Sequence, residues 1–211
     1  MRVMFSQWFA KFATSPLWFA AVLCVLTALY LSRLRRAEFT LFSTGATAMG
    51  AEVLVIFAFQ IYFGYIYREI GLIVTVFLAG LLPGAWLGQR LSGRGRRVLM
   101  QTDLLLILLL AMFMLALHQG GDRLPVAFYL VFGFAVSLAC GCQFPVALQI
   151  GGAGNPAAAR AFSTELIGAA CGTLVTSAVL IPWLGLFPTA LCLIGLKTAS
   201  LALVATARAA H

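Results

Sequence analysis

Residues 98–118 read VLMQTDLLLILLLAMFMLALH, and the part from 104 to 117 contains no polar side chain. About 20 apolar residues in a row cross the hydrocarbon core of a bilayer as an α-helix. A strand of a membrane barrel instead alternates apolar and polar residues over about ten positions. The unbroken apolar run therefore predicts a membrane-spanning helix and not a barrel strand.

Apolar stretches of similar length recur along the whole chain. Of its 211 residues, 63% are hydrophobic and 9% are charged, whereas roughly a quarter of the residues of an average soluble domain carry charge. The sequence predicts an all-α, polytopic membrane helix bundle with short connections between antiparallel neighbours. The seven predicted spans are 16–32, 39–66, 70–91, 98–118, 125–150, 161–183 and 186–207.

The chain divides into an N-terminal part, residues 1–38, and a six-helix membrane core, residues 39–211. The N-terminal part holds the first span and, before it, an interfacial segment whose aromatic residues follow a helical spacing: Phe5, Trp8, Phe9 and Phe12. The alternative is that these aromatic residues simply begin the first span. That span also resembles a signal peptide, but no small-x-small cleavage pattern precedes Arg33, so we expect it to be retained as an anchor.

Basic residues are unequally distributed between the two sides of a seven-span chain. One side carries nine arginines: Arg33, Arg35, Arg36, Arg90, Arg94, Arg96, Arg97, Arg160 and Arg208. The other side carries four basic residues: Arg2, Lys11, Arg68 and Arg123. The positive-inside rule then places the N-terminus outside and the C-terminus in the cytoplasm of a bacterial inner membrane. The net charge of +8 thus reflects orientation in the lipid bilayer, and we expect no nucleic-acid partner.

Two glutamates and a glutamine lie within or at the start of predicted spans. Glu52 lies near the middle of the second span, where a carboxylate costs about 2.5–3.5 kcal/mol to insert, so it must face protein or a wet cavity. Gln60, two turns further on, could line the same space. Glu165 lies at the start of the sixth predicted span, beside a seam of small residues. A structural role would explain it without any substrate, because an acidic side chain in the first turn of a helix complements the helix dipole.

Three further polar residues lie in the later spans. For Asp103 the structural explanation is a salt bridge to an arginine of residues 94–97, or a charge near the helix N-terminus. Gln143 stands near an expected proline kink, and Lys197 is expected to pair with a carboxylate or to extend toward the interface. The candidate substrate-binding residues are Glu52, Gln60, Asp103, Gln143 and Glu165.

The sequence shows no constellation of residues that carries catalysis. The five cysteines (Cys24, Cys140, Cys142, Cys171 and Cys192) all fall within spans, and an odd number there indicates small apolar residues and not a disulfide framework. The two histidines, His118 and His211, are too far apart to suggest a haem. We expect no metal, no cofactor and no enzymatic activity.

The third span and the following loop, residues 84–97, read GAWLGQRLSGRGRR. This segment resembles the cytoplasmic loop of major facilitator transporters, which joins the second and third helices of a six-helix half. The residues that carry the resemblance are Gly84, Gly88, Arg90, Gly93, Arg94, Arg96 and Arg97. It implies that spans two to seven form a half-transporter-like core with this loop in the cytoplasm.

More narrowly, the chain resembles the membrane portion of bacterial proteins in which transporter-like helices are fused to a spermidine-synthase-like domain. The matching stretches are 45–60 (GATAMGAEVLVIFAFQ), 64–88, 143–147 (QFPVA) and 165–185 (ELIGAACGTLVTSAVLIPWLG). Residues 1–211 contain no aminopropyltransferase-like segment, so the resemblance does not imply that activity here.

Two functions follow as hypotheses. The first is a transporter-like unit that handles a small solute, cationic and polyamine-like, with carboxylates that bind ammonium groups or relay protons. Because six core helices make half of a facilitator, this hypothesis requires a homodimer or a partner half. The alternative is a non-catalytic accessory or anchoring subunit of a larger membrane complex, bound to a membrane or soluble protein partner.

Overall fold

The computed structural model describes residues 22, 25, 27–30, 34, 36–64, 67–120, 123–151 and 154–206, and these residues form helices joined by short turns. The helices are α1 (Arg36–Phe63), α2 (Tyr67–Leu91), α3 (Gly95–Gly120), α4 (Val126–Gly151), α5 (Asn155–Leu174), α6 (Ile181–Leu184) and α7 (Leu186–Thr206). A 3₁₀ turn, Ser92–Arg94, connects α2 to α3, and a π-helical stretch, Val175–Leu180, connects α5 to α6. The all-α prediction is confirmed for the described residues.

The predicted interfacial segment and most of the predicted first span lie outside the described residues. Within that span residues 27–30 are helical. The Tyr30 hydroxyl lies 3.4 Å from the hydroxyl oxygen of Thr164, so this part of the chain packs beside α5.

Five stretches of the described chain are long and apolar enough to cross a membrane. This composition is compatible with a multi-pass integral membrane protein. The stretch Glu69–Gly120 has 52 residues, which as one straight helix would be about 78 Å long, far more than the roughly 30 Å of a hydrocarbon core. It holds two helices, α2 and α3, separated by the 3₁₀ turn.

Contacts between helices show that successive helices alternate in direction. Gly84 and Gly88 of α2 approach Leu138 and Cys142 of α4 in the same order, so α2 and α4 run parallel. The α3 helix runs antiparallel to α4, because residue 103 contacts residue 143 and residue 113 stacks on residue 132. It also runs antiparallel to α7, since residue 96 contacts residue 205 and residue 118 contacts residue 187.

Two pairs of helices pack through glycine seams of the same geometry. A side-chain carbon on Gly45 would meet the carbonyl oxygen of Glu165 and the amide nitrogen four residues later on α5. A side-chain carbon on Gly141 would meet the carbonyl oxygen of Leu81 and the amide nitrogen four residues later on α2. Small residues permit this close approach of helix backbones. The α1–α5 and α4–α2 pairs are therefore equivalent.

This equivalence relates α1–α3, here unit 1, to α4–α7, here unit 2. In unit 2, α5, the π-helical stretch and α6 form one continuous span, Asn155–Leu184, so each unit contains three spans. Each helix of unit 1 runs opposite to its counterpart in unit 2, so the two units form an inverted repeat. Their shared core contains one large apolar cluster around Phe113, Tyr129 and Phe132. A smaller apolar cluster around Leu41 and Val146 lies nearer the loop of residues 92–94. Buried polar residues, among them Asp103 and Lys197, lie between the two clusters.

Candidate functional site

Lys197 is fully buried in the middle of α7. At 1.5 Å per residue it lies about 14–17 Å from either end of that helix. Its ammonium group donates to the Asp103 carboxylate (Nζ to Oδ1, 2.9 Å) and to the Gln143 side-chain carbonyl (Nζ to Oε1, 2.9 Å). It also donates to the hydroxyl oxygen of Thr44 at 3.0 Å. Because an ammonium group has three protons, these partners satisfy it completely.

Asp103 faces unit 2 from α3 and is also fully buried. Its Oδ1 accepts hydrogen bonds from Lys197 and from Gln143 Nε2, the latter at 2.7 Å. Its Oδ2 accepts from the Ser200 hydroxyl at 2.9 Å. The expected salt bridge to residues 94–97 is wrong, because this face of α3 points toward α4 and α7, whereas Arg96 donates to the carbonyl of Ala205.

The neighbours of Gln143 determine the orientation of its amide. The nitrogen donates to Asp103 and to Thr102 Oγ1, at 2.7 and 2.8 Å. The oxygen accepts from Lys197 and from the Thr44 hydroxyl. The opposite orientation would place the amide oxygen against a carboxylate and the amide protons against an ammonium group, so the assignment follows from the network.

The side chains joined by these hydrogen bonds form a group that we call the central polar cluster. Its six members are Thr44, Thr102, Asp103, Gln143, Lys197 and Ser200. Each is at most 9% exposed. Of the seven hydrogen bonds between these side chains, six join a residue of unit 1 to a residue of unit 2. The seventh, from Lys197 to Gln143, lies within unit 2. A buried ion pair contributes little net stability compared with well-packed apolar residues.

Glu52 lies on a different face of α1 and does not belong to the central polar cluster. It is 7% exposed, and no hydrogen bond or ion pair joins its carboxyl group to another residue in the described part of the chain. Its neighbours on this face, including Met49 and Ile56, are only partly buried, as is Gln60 two turns further on. The structure thus places Glu52 and Gln60 together on a partly exposed face of α1.

Among the described residues, no hydrogen bond or ion pair joins the Glu165 side chain to either group. The expected explanation for it, a position in the first helical turn, is wrong because α5 begins at Asn155, ten residues earlier, with Pro156 in its first turn. The side chain is half-buried, and the backbone carbonyl of Glu165 packs against Gly45 of α1. Of the five candidates, the structure joins Asp103 and Gln143 directly.

The loop predicted to resemble a transporter motif has two structural parts. Gly84 and Gly88 belong to the seam between α2 and α4. Gly93 and Arg94 lie in the 3₁₀ turn beyond it, Arg90 in the last turn of α2, and Arg96 and Arg97 in the first turn of α3. Of the arginines, Arg90, Arg94 and Arg97 are exposed.

No family model, curated protein or solved structure matches this chain. Among the described residues, no group of three His, Cys, Asp or Glu side chains could hold a metal ion.

Sequence reasoning left four members out of the candidate list: Thr44, Thr102, Lys197 and Ser200. Lys197 was recognised as a charge within a span, and Ser200 shares its helix face three residues later. A buried row of hydroxyl residues along α1 was a further available signal, with members at 40, 43, 44 and 47. The partners of these residues depend on how the helices pack.

Proposed function

We propose that this protein is a transporter-like membrane unit whose central polar cluster couples two inverted three-helix units. Many secondary transporters are built from inverted repeats, with their sites near the bilayer midplane where the repeats meet. The observation that carries the proposal is that six of the seven side-chain hydrogen bonds within the cluster, including the Asp103–Lys197 ion pair, cross from unit 1 to unit 2. A movement of one unit against the other would have to break these bonds.

We further propose that the solute is small, cationic and polyamine-like, and that Glu52 binds its ammonium group. Glu52 is buried without a described partner, and an intramembrane acid generally marks a functional site. Met49 and Ile56 beside it offer apolar surface for an alkyl chain, and Gln60 offers a second polar contact. The resemblance to transporter-like helices fused to a spermidine-synthase-like domain supports the same solute class.

The face of α1 that bears Glu52 indicates the need for a second subunit. If this partly exposed face contacted lipid, the carboxyl group would border acyl chains, which is costly. A second copy of the chain, or a partner half, would instead enclose the face within protein. The proposed transport unit is therefore a dimer of six-helix cores.

The orientation in the membrane is also a proposal. The helix ends at Arg36, Leu91, Gly151 and Thr206 lie at one end of the bundle, which we call the arginine end. The exposed arginines 90, 94, 97 and 160 lie there, whereas Arg123 lies at the opposite end. By the positive-inside rule, the arginine end faces the cytoplasm of a bacterial inner membrane.

Uptake of radiolabelled putrescine and spermidine into proteoliposomes tests the transport proposal. We expect Glu52→Gln to lower uptake roughly 10–100-fold, because a hydrogen bond to a charged group contributes about 1.5–3 kcal/mol. Glu69→Gln, in the first turn of α2, is the matched control and should stay within about twofold of the unmodified protein. Equal uptake by Glu52→Gln would remove this acid from the mechanism. Uptake no greater than in empty liposomes would remove the proposed solute class.

An accessory or anchoring role is the second candidate, and one observation favours it. The donors of Lys197 and both oxygens of Asp103 are satisfied within the chain, as expected of a cluster that only maintains the fold. Purification in mild detergent distinguishes the two roles. A stoichiometric heteromeric partner supports the accessory role, whereas an isolated homodimer contradicts it.

A further inference from the structure

The end of α2 carries an exposed aromatic–arginine pair. The Arg90 guanidinium lies 3.5 Å from the centre of the Trp86 ring, and Trp86 is 54% exposed. Tryptophan is enriched where a membrane-spanning helix meets the lipid headgroups. Trp86 follows the long apolar stretch of α2 and precedes the arginines, so Arg90 lies at headgroup depth, one turn beyond it.

Two more exposed arginines, Arg94 and Arg97, follow on the 3₁₀ turn and the first turn of α3. Neither they nor Arg90 forms an ion pair with a carboxylate of the described chain, and residues 70–102 contain no acidic residue. Three like charges within eight residues repel one another, so an anion from outside the described chain would stabilise this arrangement.

Arg96 has a different role from these three. Its guanidinium donates to the carbonyl oxygen of Ala205 (Nη2 to O, 2.6 Å), near the end of α7. This bond attaches the turn to the bundle. The exposed arginines therefore stand on a segment that packing holds in place, and little ordering is needed for them to bind a ligand together.

We propose that Arg90, Arg94 and Arg97, with Trp86, form a binding surface for the phosphate groups of anionic phospholipids. Arginine suits this ligand because its planar guanidinium binds two phosphate oxygens at once. The surface is open and lies at headgroup depth, which favours a lipid phosphate over a soluble phosphorylated solute. Each basic residue near an anionic membrane surface contributes about a fivefold gain in binding. This inference does not rest on the proposed transport function.

Native mass spectrometry of the detergent-purified protein tests the proposal through titration with phosphatidylglycerol and phosphatidylcholine. We expect the unmodified protein to prefer phosphatidylglycerol, and Arg94→Gln/Arg97→Gln to lose roughly 25-fold of that preference. The charge-matched control is Arg123→Gln/Arg160→Gln, which removes two exposed arginines outside the surface and should keep the preference within about twofold. Arg90→Lys should retain most of it, because the charge remains.

Three outcomes would overturn the proposal. The first is an equal loss in the control variant, which would indicate an effect of net charge. The second is a preference that survives in Arg94→Gln/Arg97→Gln while its thermal midpoint matches that of the unmodified protein. The third concerns free phosphate: if millimolar inorganic phosphate, at constant ionic strength, displaces phosphatidylglycerol, the surface binds the free anion and not the lipid.

Discussion

Replacing Lys197 by methionine should destabilise the protein strongly, because it leaves the Asp103 carboxylate buried without its counter-charge. Asp103 would keep two donors, Gln143 and Ser200, but no cation in the cluster. Removing one partner of a buried ion pair costs about 3–5 kcal/mol. The ammonium group also leaves the Gln143 oxygen and the Thr44 hydroxyl, but these two neutral groups remain hydrogen-bonded to each other, so neither is left without a partner. The unpaired charge dominates the effect.

The double variant Lys197→Met/Asp103→Asn should be more stable than Lys197→Met alone. Asparagine matches the shape of aspartate and removes the unpaired charge. Gln143 would still donate to Thr102 and accept from Thr44, so its amide stays satisfied. We expect the double variant to lie within about 1–2 kcal/mol of the unmodified protein, since interaction energies between contacting residues reach about 3 kcal/mol.

Equilibrium unfolding in mixed micelles with increasing dodecyl sulfate, followed by far-ultraviolet circular dichroism, measures these free energies. The control is Thr198→Met, an exposed position on the same helix, which should change stability by no more than about 0.5 kcal/mol. A double variant less stable than Lys197→Met, or a cost below about 1 kcal/mol for Lys197→Met, would refute the reasoning that an unpaired buried charge dominates.

Substitutions at the helix contacts and at buried hydroxyl groups should also change stability in a defined direction. Gly84→Ala should cost about 1–3 kcal/mol, because its new carbon would press on the backbone of α4, whereas Gly71→Ala meets open space and should gain about 0.5–1 kcal/mol. The same unfolding assay checks both, and equal effects would contradict the close-packed seam. The hydroxyls of Thr47 and Thr176 are buried without a partner, so their replacement by valine should stabilise by about 1 kcal/mol. Thr44→Val should lower the stability instead. If valine lowers the stability at all three positions, the hydroxyls of Thr47 and Thr176 do have hydrogen-bond partners, such as internal water.

The positions of the helices were largely predictable, because each span is an apolar run bounded by glycine, proline or charge. The sixth span shows the limit of this reasoning. Its predicted start at residue 161 was late, since α5 begins at Asn155 with a proline in its first turn. Hydropathy identifies segments that contact lipid, and it does not identify helical turns made of small and polar residues. The first turns of α5 are helical but consist of such residues, so hydropathy placed the start of the span too late. The π-helical stretch of residues 175–180 left no comparable signal in the sequence.

The candidate site was predictable only as a set of residue types. Asp103, Gln143 and Lys197 attracted notice because polar groups are costly inside a bilayer. Their partners were not predictable, since Asp103 was assigned to nearby arginines and its actual partner lies 94 residues away. Which face of each helix points inward depends on the rotation of the helices about their axes, and glycine seams between non-consecutive helices set that rotation.

Residues 98–118 determine one helix and its class, because a mostly apolar segment of about 20 residues is long enough to cross the hydrocarbon core as a helix. In the same way the sequence alone determined the membrane class, the places of the described long helices and the small set of polar residues within them. Only the tertiary structure decided that Asp103 and Lys197 form a pair that joins two inverted units. The physical reason is that apolar burial in lipid is a local property of each segment, whereas the partner of a buried charge is settled by packing across the whole bundle.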